Sequence, residues 1–314
     1  MKKLMKKIKP VLMAFGATNT NDITLEEQAK RYTGVGTVKV IAINPNKDEL
    51  EKIYGRQIDS VPQYITKNDD GTTTARVDFI VQADKEDNNG ISFITRATYF
   101  LRDNPIFTSD KSRLKVIDNY GNTSWATEKQ LQEQELPIGD VTLQKPFRPA
   151  MRGEEEVVKF LKAWLYIQDL FKYDMQNKSW VENPKLEGHK ERALVFIEKP
   201  KALFTGDFKE LKAPLREFGG NRLKLLFGVR TTDDNKMYQD FLRERPMKIS
   251  VRSFDFLEKI VEDANVGGRY PNTKFEIGPL KQFVLEKTKF AKDEEPIDDL
   301  PFGDTPAGGW FGTK

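Results

Sequence analysis

The stretch Ala75–Arg102, ARVDFIVQADKEDNNGISFITRATYFLR, decides the fold class of this chain. The residues of its first part, Ala75–Ala83, alternate between the two faces of a strand with period two. Its second part, Ile91–Arg102, is rich in β-branched and aromatic residues. Both patterns are typical of β-strands. The turn-forming sequence Asn88-Asn89-Gly90 lies between the two parts. The stretch therefore predicts two consecutive antiparallel strands.

Further strands are predicted on both sides of this pair. Gly36–Asn44 precedes it, and Asn221–Thr232 follows much later in the chain. Arg113–Asp118 and Thr123–Ala126 flank the turn sequence Asn119-Tyr120-Gly121-Asn122 and predict a hairpin. Because consecutive strands of this kind form antiparallel sheets, we expect an α+β protein built on a small barrel or sandwich, not a doubly wound sheet.

Two helices have clear sequence signals. Asn46 is an expected N-cap, acidic residues follow it in the first turn, and Gly55 can end the helix. The second helix begins at Gly153 with three glutamates, where the helix dipole favours negative charge. Its apolar residues, which include Trp164, fall largely on one face, so we expect that face to pack against the core.

The composition excludes several classes of chemistry. The chain has 314 residues and no cysteine, which excludes disulfides, thiolate metal sites and a cysteine nucleophile. Its one histidine, His189, lies in a highly charged stretch and is predicted to be an exposed loop residue. The sequence contains no phosphate-binding loop. We therefore predict a protein that is not an enzyme, with no catalytic residue, no metal and no cofactor.

Two pairs of acidic residues leave an enzymatic alternative open. Asp69-Asp70 and Asp233-Asp234 lie in polar, turn-like segments, where solvated acids are common. The same residues could hold a magnesium ion in a metal-dependent nuclease or recombination enzyme.

Charge divides the chain into three predicted parts: a basic N-terminal arm (1–33), one folded domain (34–290) and an acidic tail (291–314). The tail carries a net charge of −4 and the other 290 residues carry +7, an asymmetry that favours a polyanionic ligand. The tail is rich in proline, glycine and acids, so we predict disorder. The arm lacks an apolar stretch long enough for a typical signal peptide, and we expect a cytoplasmic protein that does not enter a membrane.

Cations and aromatic residues alternate along several predicted strands. One face of Ile91–Arg102 carries Phe93, Thr95, Ala97, Tyr99 and Leu101, and the other carries Ile94, Arg96, Thr98, Phe100 and Arg102. Proteins that bind single strands combine cations that follow the phosphates with aromatic rings that stack on bases. The candidate nucleic-acid-binding residues are Arg96, Phe100, Arg102, Lys115, Tyr120, Trp125, Arg222, Lys224 and Arg230. The alternative is that the aromatic residues belong to the core and the cations are ordinary solvated residues.

The acidic tail contains a short apolar sequence, Asp298-Asp299-Leu300-Pro301-Phe302. Its acids keep the segment in water, and its apolar tip fits a small pocket ringed by basic residues on another protein. We therefore predict that Asp298, Asp299, Leu300, Pro301 and Phe302 bind a partner protein. A chance sequence in a disordered tail is the alternative.

These residues resemble the acidic C-terminal tip of bacterial single-stranded-DNA-binding proteins, which ends in acids followed by Ile-Pro-Phe and recruits replication and repair proteins. In that family the phenylalanine is the last residue, whereas twelve residues follow Phe302 here. The body is more similar to single-stranded-DNA-binding proteins of tailed bacteriophages, in Lys39–Leu50, Val116–Ala126, Phe147–Ala150 and Gly153–Glu155.

The resemblance implies an OB-like antiparallel β-barrel elaborated with helices. It also implies sequence-independent binding of single-stranded DNA during phage replication or recombination in the bacterial host cell. The expected partners are single-stranded DNA and, through the tail, replication or recombination proteins. A virion structural or cargo protein is the second hypothesis, and the metal-dependent enzyme described above is the third.

Overall fold

The computed structural model of the protein describes residues 30–165, 171–177, 179–182, 203–206, 212, 218–234 and 236–284. These residues form mostly antiparallel sheets with few helices, which confirms the α+β prediction. Most of the predicted basic arm (1–33) and the whole acidic tail (291–314) lie outside the described residues. None of the described helices is long and apolar enough to cross a membrane.

The elements follow one another in this order. The first half contains β1 (Tyr32–Ile43), α1 (Lys47–Tyr54), β2 (Ile65–Lys67), β3 (Thr73–Ala83), β4 (Phe93–Pro105), β5 (Leu114–Asp118), β6 (Thr123–Ala126), α2 (Glu128–Glu133), β7 (Phe147–Pro149), β8 (Met151–Arg152) and α3 (Glu154–Leu165). The second half contains β9 (Phe171–Asp174), β10 (Ser179–Glu182), β11 (Arg222–Thr231), β12 (Met237–Phe241), β13 (Met247–Lys248), α4 (Phe256–Val266), β14 (Thr273–Phe275) and β15 (Lys281–Gln282).

A large antiparallel sheet carries the fold. Its strands lie in the order β12-β11-β1-β3-β4-β8. Short strands add pairings to three of them: β2 pairs with β3, β13 and β14 pair with β11, and β15 pairs with β1. The predicted pair β3 and β4 forms the longest ladder, which runs from Thr74 opposite Arg102 to Ala83 opposite Phe93. The predicted turn between the two strands is present, with Asn89 and Gly90 both at positive φ.

The inner face of this sheet packs against α3. Phe79 of β3 stacks on Phe160 of the helix at 4.1 Å between ring centroids, and Tyr99 of β4 meets the same ring edge-on at 5.6 Å. Trp164 is fully buried, and its indole N–H donates to the carbonyl oxygen of Phe218 at 3.1 Å. The predicted apolar face of this helix therefore forms the centre of the core, where burial contributes most to stability.

Two helices cover separate parts of the outer face. Helix α1 has the predicted cap: Asn46 accepts from the backbone N–H of Glu49, and Gly55 ends the helix at φ 62°. Its Leu50 packs on Ala42 and Ile80. Helix α4 covers Val35 of β1 and Leu226 of β11 (through Leu257 and Ala264).

The sheet curls so that the end of β12 approaches β4. Phe241 meets Tyr99 edge-on at 5.7 Å, and the guanidinium of Arg243 donates to the carbonyl oxygen of Thr98 at 3.4 Å. No strand ladder joins β12 to β4, and the described residues close no barrel.

A small three-stranded sheet, β6-β5-β7, is inserted between β4 and α3. Its own core contains Leu114, Val116, Ala126, Leu143 and Phe147, with Leu131 of α2 packed against it. The β5–β6 pairing confirms the predicted hairpin. The buried carboxylate of Asp118 holds its turn, because it accepts from the backbone N–H groups of Tyr120 and Asn122 at 2.8 Å each.

Gly153 fixes how the chain returns from this insertion to the large sheet. It has φ +81°, and a Cβ at this position would lie 1.9 Å from the carbonyl oxygen of Phe100 in β4. Gly71 has a similar φ of +79°, but a Cβ there would meet nothing within 4 Å. Both glycines avoid the cost of a left-handed conformation, and only Gly153 also permits a close backbone approach.

We expect Gly153→Ala to destabilise the protein more than the control variant Gly71→Ala. Both variants lose about 1–2 kcal/mol because alanine is strained at positive φ. Gly153→Ala loses about 1–3 kcal/mol more, because its methyl group overlaps Phe100 and β4 must shift. The free energy of unfolding in urea measures both losses, and equal losses would contradict the close approach.

Candidate nucleic-acid interface

The two faces of β4 separate as the sequence predicts. Phe93, Thr95, Ala97, Tyr99 and Leu101 are buried, whereas Arg96 and Arg102 are partly exposed on the outer face. Phe100 lies between them on that face with 57% of its surface exposed. A phenylalanine this exposed contributes little to the core, and its ring is open to contacts from outside the sheet.

Arg96 is a partner of a buried carboxylate. Asp78 of β3 is fully buried on the outer face, and its oxygens lie 2.8 Å from Nε of Arg76 and 3.3 Å from Nε of Arg96. The Thr98 hydroxyl donates a third contact at 2.8 Å. A buried carboxylate needs such counter-charges and donors. Arg96 therefore stabilises the sheet and has only part of its side chain available to a ligand.

Two tyrosines pack beside this ion cluster. Burial is the main cause that raises the pKa of both Tyr54 and Tyr64. The Tyr64 hydroxyl donates to the carbonyl oxygen of Pro45 at 2.8 Å.

Phe100 and Arg102 lie in a patch with two arginines from neighbouring strands. Arg76 is directly opposite Phe100 on β3, and its guanidinium lies 5.9 Å from the centre of the phenyl ring. Arg152 of β8 is exposed and directly opposite Arg102. Arg102 itself donates to Asp70 at 2.6 Å and to the Thr72 hydroxyl at 2.7 Å. We call Arg76, Phe100, Arg102 and Arg152 the β4 patch.

Lys115 and Trp125 form a second patch on the small sheet. They are directly opposite each other on β5 and β6, and the ammonium of Lys115 lies 5.9 Å from the centre of the indole ring. Trp125 is 36% exposed, and Lys115 also forms an ion pair with Glu155 of α3. Tyr120 is half-buried in the turn of the same hairpin. We call Lys115, Tyr120 and Trp125 the hairpin patch.

The segment between Ala150 and Glu155 anchors both patches. The backbone N–H of Ala150 donates to the carbonyl oxygen of Lys115 at 2.9 Å. Gly153 lies against the carbonyl oxygen of Phe100, and Glu155 pairs with Lys115. The structure thus places the two exposed aromatic rings that the sequence singled out on strands that one short segment holds together.

The cations of β11 lie elsewhere, and α4 divides them. Arg222, Lys224 and Arg230 share the outer face, but Leu226 between them is buried beneath the helix. Arg222 forms an ion pair with Asp87 at 3.0 Å. Arg230 lies over the ring of Tyr238 at 5.3 Å.

Lys224 is also occupied by contacts within the protein. Its ammonium donates to the carbonyl oxygen of Val251 at 2.6 Å and lies 5.5 Å from the centre of the Phe254 ring. Desolvation lowers the pKa of Lys224, and the nearby Arg252 lowers it further. The β11 cations are thus separate from one another in their contacts, and they do not extend the β4 patch.

Sequence reasoning missed Arg76 and Arg152. Arg76 had a visible signal. It lies two residues before Asp78, on the same face of the strand that pairs with β4. Arg152 had none, because β8 contains only two residues and its pairing depends on the path of the insertion. The tail residues Asp298, Asp299, Leu300, Pro301 and Phe302 lie outside the described residues.

In comparisons with protein-family models, with curated proteins and with solved structures, no significant match was found.

The acidic pairs that suggested a metal-dependent enzyme contact cations of the chain. Asp70 accepts from Arg102, and Asp234 lies 2.6 Å from the ammonium of Lys236. Hydrogen bonds, first from Lys236 and then from the Thr232 hydroxyl, lower the pKa of Asp234 to about 2. Within the described part of the chain, no group of three or more acids or histidines is placed to hold a metal ion.

We expect Asp78→Ala to destabilise the protein by about 1–3 kcal/mol, because Arg76, Arg96 and the Thr98 hydroxyl lose the buried carboxylate that they contact. The control is Asp70→Ala, which removes the exposed partner of Arg102 and changes the free energy of unfolding little. Urea denaturation measures both variants. A loss for Asp78→Ala no larger than that for Asp70→Ala would show that the buried cluster does not stabilise the sheet.

Proposed function

We propose that this protein binds single-stranded DNA without sequence preference in phage DNA replication or recombination, and that its acidic tail recruits partner proteins. The observation that carries the proposal is Phe100. An exposed aromatic ring lies on an open sheet face with Arg76, Arg102 and Arg152 around it.

This arrangement suits an unpaired strand for two physical reasons. Every base has a π-face, so stacking on Phe100 or Trp125 accepts any sequence and contributes about 1–3 kcal/mol per base. Arginines beside the ring can contact the phosphates that flank the stacked base. In duplex DNA the base faces are already stacked on one another, so the same ring gains less there.

We propose further that the curled sheet is an open, OB-like barrel elaborated with helices, in which contacts of Phe241 and Arg243 link β12 to β4 without a strand ladder. Folds of this class bind strands on a sheet face with stacking aromatic residues. The outer face of β3 and β4 takes that role here.

The tail fits the same function. Asp298 to Phe302 resembles a sequence that recruits replication and repair proteins, and its acids do not favour contact with DNA. We propose that the β4 and hairpin patches hold the strand while the tail holds a protein.

Fluorescence anisotropy with labelled oligo-dT tests strand binding. We expect binding at about 50 mM salt that weakens as salt is raised, because phosphate contacts release counterions. We expect Phe100→Ala to weaken it about 5- to 150-fold, which corresponds to the loss of one stacked base.

The matched control is Phe256→Ala. Phe256 is 37% exposed and has the guanidinium of Arg245 5.3 Å from its ring centre, but it lies on α4. We expect the Phe256→Ala variant to bind oligo-dT with the affinity of the wild type. No binding of the wild-type protein at about 50 mM salt would end the proposal. Equal effects of the two variants on the affinity would show that Phe100 is not part of the binding site.

A further inference from the structure

The residue pattern of Asp299–Asp304, which we call the tail hook, occurs a second time inside the folded domain. Both Glu135–Asp140 (ELPIGD) and Asp299–Asp304 (DLPFGD) read acid, leucine, proline, large apolar residue, glycine, aspartate. The dipeptide Leu-Pro occurs at two places in the 314 residues, and each time it lies within this pattern. The folded copy follows α2 in the small sheet and is not part of either strand-binding patch.

The folded copy forms a tight turn that presents its apolar residue to solvent. The backbone N–H of Asp140 donates to the carbonyl oxygen of Pro137 at 3.0 Å. Gly139 lies at the third position of the turn with φ +79°, as a type II turn requires. Ile138 occupies the second position and is 100% exposed. The tail has the same order of residues, with Phe302 in place of Ile138 and Gly303 in place of Gly139.

The turn is well anchored on both sides. The carboxylate of Asp140 accepts from the backbone N–H groups of Thr142 and Leu143 at 2.9 Å each. Hydrogen bonds, the strongest from Ser124, lower the pKa of Asp140 to about 2. On the other side, the side chain of Gln134 exchanges two hydrogen bonds of 2.9 Å with the backbone of Phe147. These hydrogen bonds hold the turn in place and therefore keep Ile138 exposed to solvent.

The charges near the tip are unsuitable for a nucleic-acid contact. Glu133 and Glu135 are exposed just before the turn, and Asp140 ends it. These acids repel phosphates, whereas an apolar tip between acids is complementary to an apolar pocket ringed by lysines or arginines. The tail hook requires a protein surface of the same kind.

We propose that the turn Glu135–Asp140 is a second docking site for the protein that the tail recruits, with Ile138 entering the pocket that accepts Phe302. This inference extends the proposed role of the tail. A partner with two such pockets holds both copies at once, because binding of the first copy raises the effective concentration of the second.

A photo-crosslinking amino acid tests the proposal when it replaces Ile138 or Phe302 in the full chain. The two proteins are irradiated in an extract of the bacterial cells in which they are expressed. We expect one and the same polypeptide, identified by mass spectrometry, to crosslink from both positions. An excess of a synthetic peptide of residues 296–306 should remove both crosslinks, and the same peptide with Phe302→Ser should remove neither. Different polypeptides, or no crosslink from position 138, would overturn the inference.

Two exposed residues of the same insertion then provide matched variants. Ile138 lies within the repeated pattern, and Val141, which is 88% exposed, lies just outside it. With the purified crosslinked polypeptide as the probe, we expect Ile138→Ser to weaken binding at least about tenfold and Val141→Ser to leave it unchanged. Equal effects of both variants would show general apolar contact and would contradict recognition of the pattern.

Binding to oligo-dT separates this inference from the proposed function. We expect Ile138→Ser to bind oligo-dT as the wild type does; a loss would place the turn in the strand interface and would overturn the inference. Failure of the wild type to bind oligo-dT, with both crosslinks intact, would end the proposed DNA function alone. A crosslink from position 302 alone would leave the tail as the one docking site.

Discussion

The ladder between β3 and β4 is the constraint on which the other features of this structure depend. Side chains alternate along each strand, so the register that places Val77 and Tyr99 beneath α3 also places Asp78 and Phe100 on the outer face. A shift of one residue would exchange the two faces and bury the charges. The packing of α3 on the inner face thus fixes the position of the exposed aromatic ring on the other side.

Ion pairs with aspartates, above all with the buried Asp78, reduce the number of arginines whose charge is available at the surface. The buried carboxylate of Asp78 engages Arg76 and Arg96, and comparable ion pairs join Arg102 to Asp70 and Arg222 to Asp87. The net charge of +7 outside the tail therefore does not produce a uniformly basic face. The available features of the β3–β4 face are the ring of Phe100, the outer part of Arg76 and the exposed Arg152, which favours stacking over purely electrostatic attraction.

The chain keeps its two kinds of chemistry at separate places. Arginine and aromatic residues share the sheet faces, whereas the exposed apolar tip of the turn at Ile138 lies between acids, as the hook of the tail does in the sequence. Acids repel phosphates and the cations of the sheet faces attract them, so the two surfaces have opposite electrostatic preferences.

The sequence by itself determined the local features of this protein. Alternation fixed the two faces of β4, the Asn46 and Gly55 signals fixed α1, and the turn between β5 and β6 fixed the hairpin, because each depends on residues close together in the chain. Only the tertiary structure decided which residues share a patch. Arg152 reaches Arg102 through a two-residue strand at the end of a long insertion, and α4 folds back to separate Arg230 from Arg222. Those placements depend on contacts between distant segments, which no local pattern encodes.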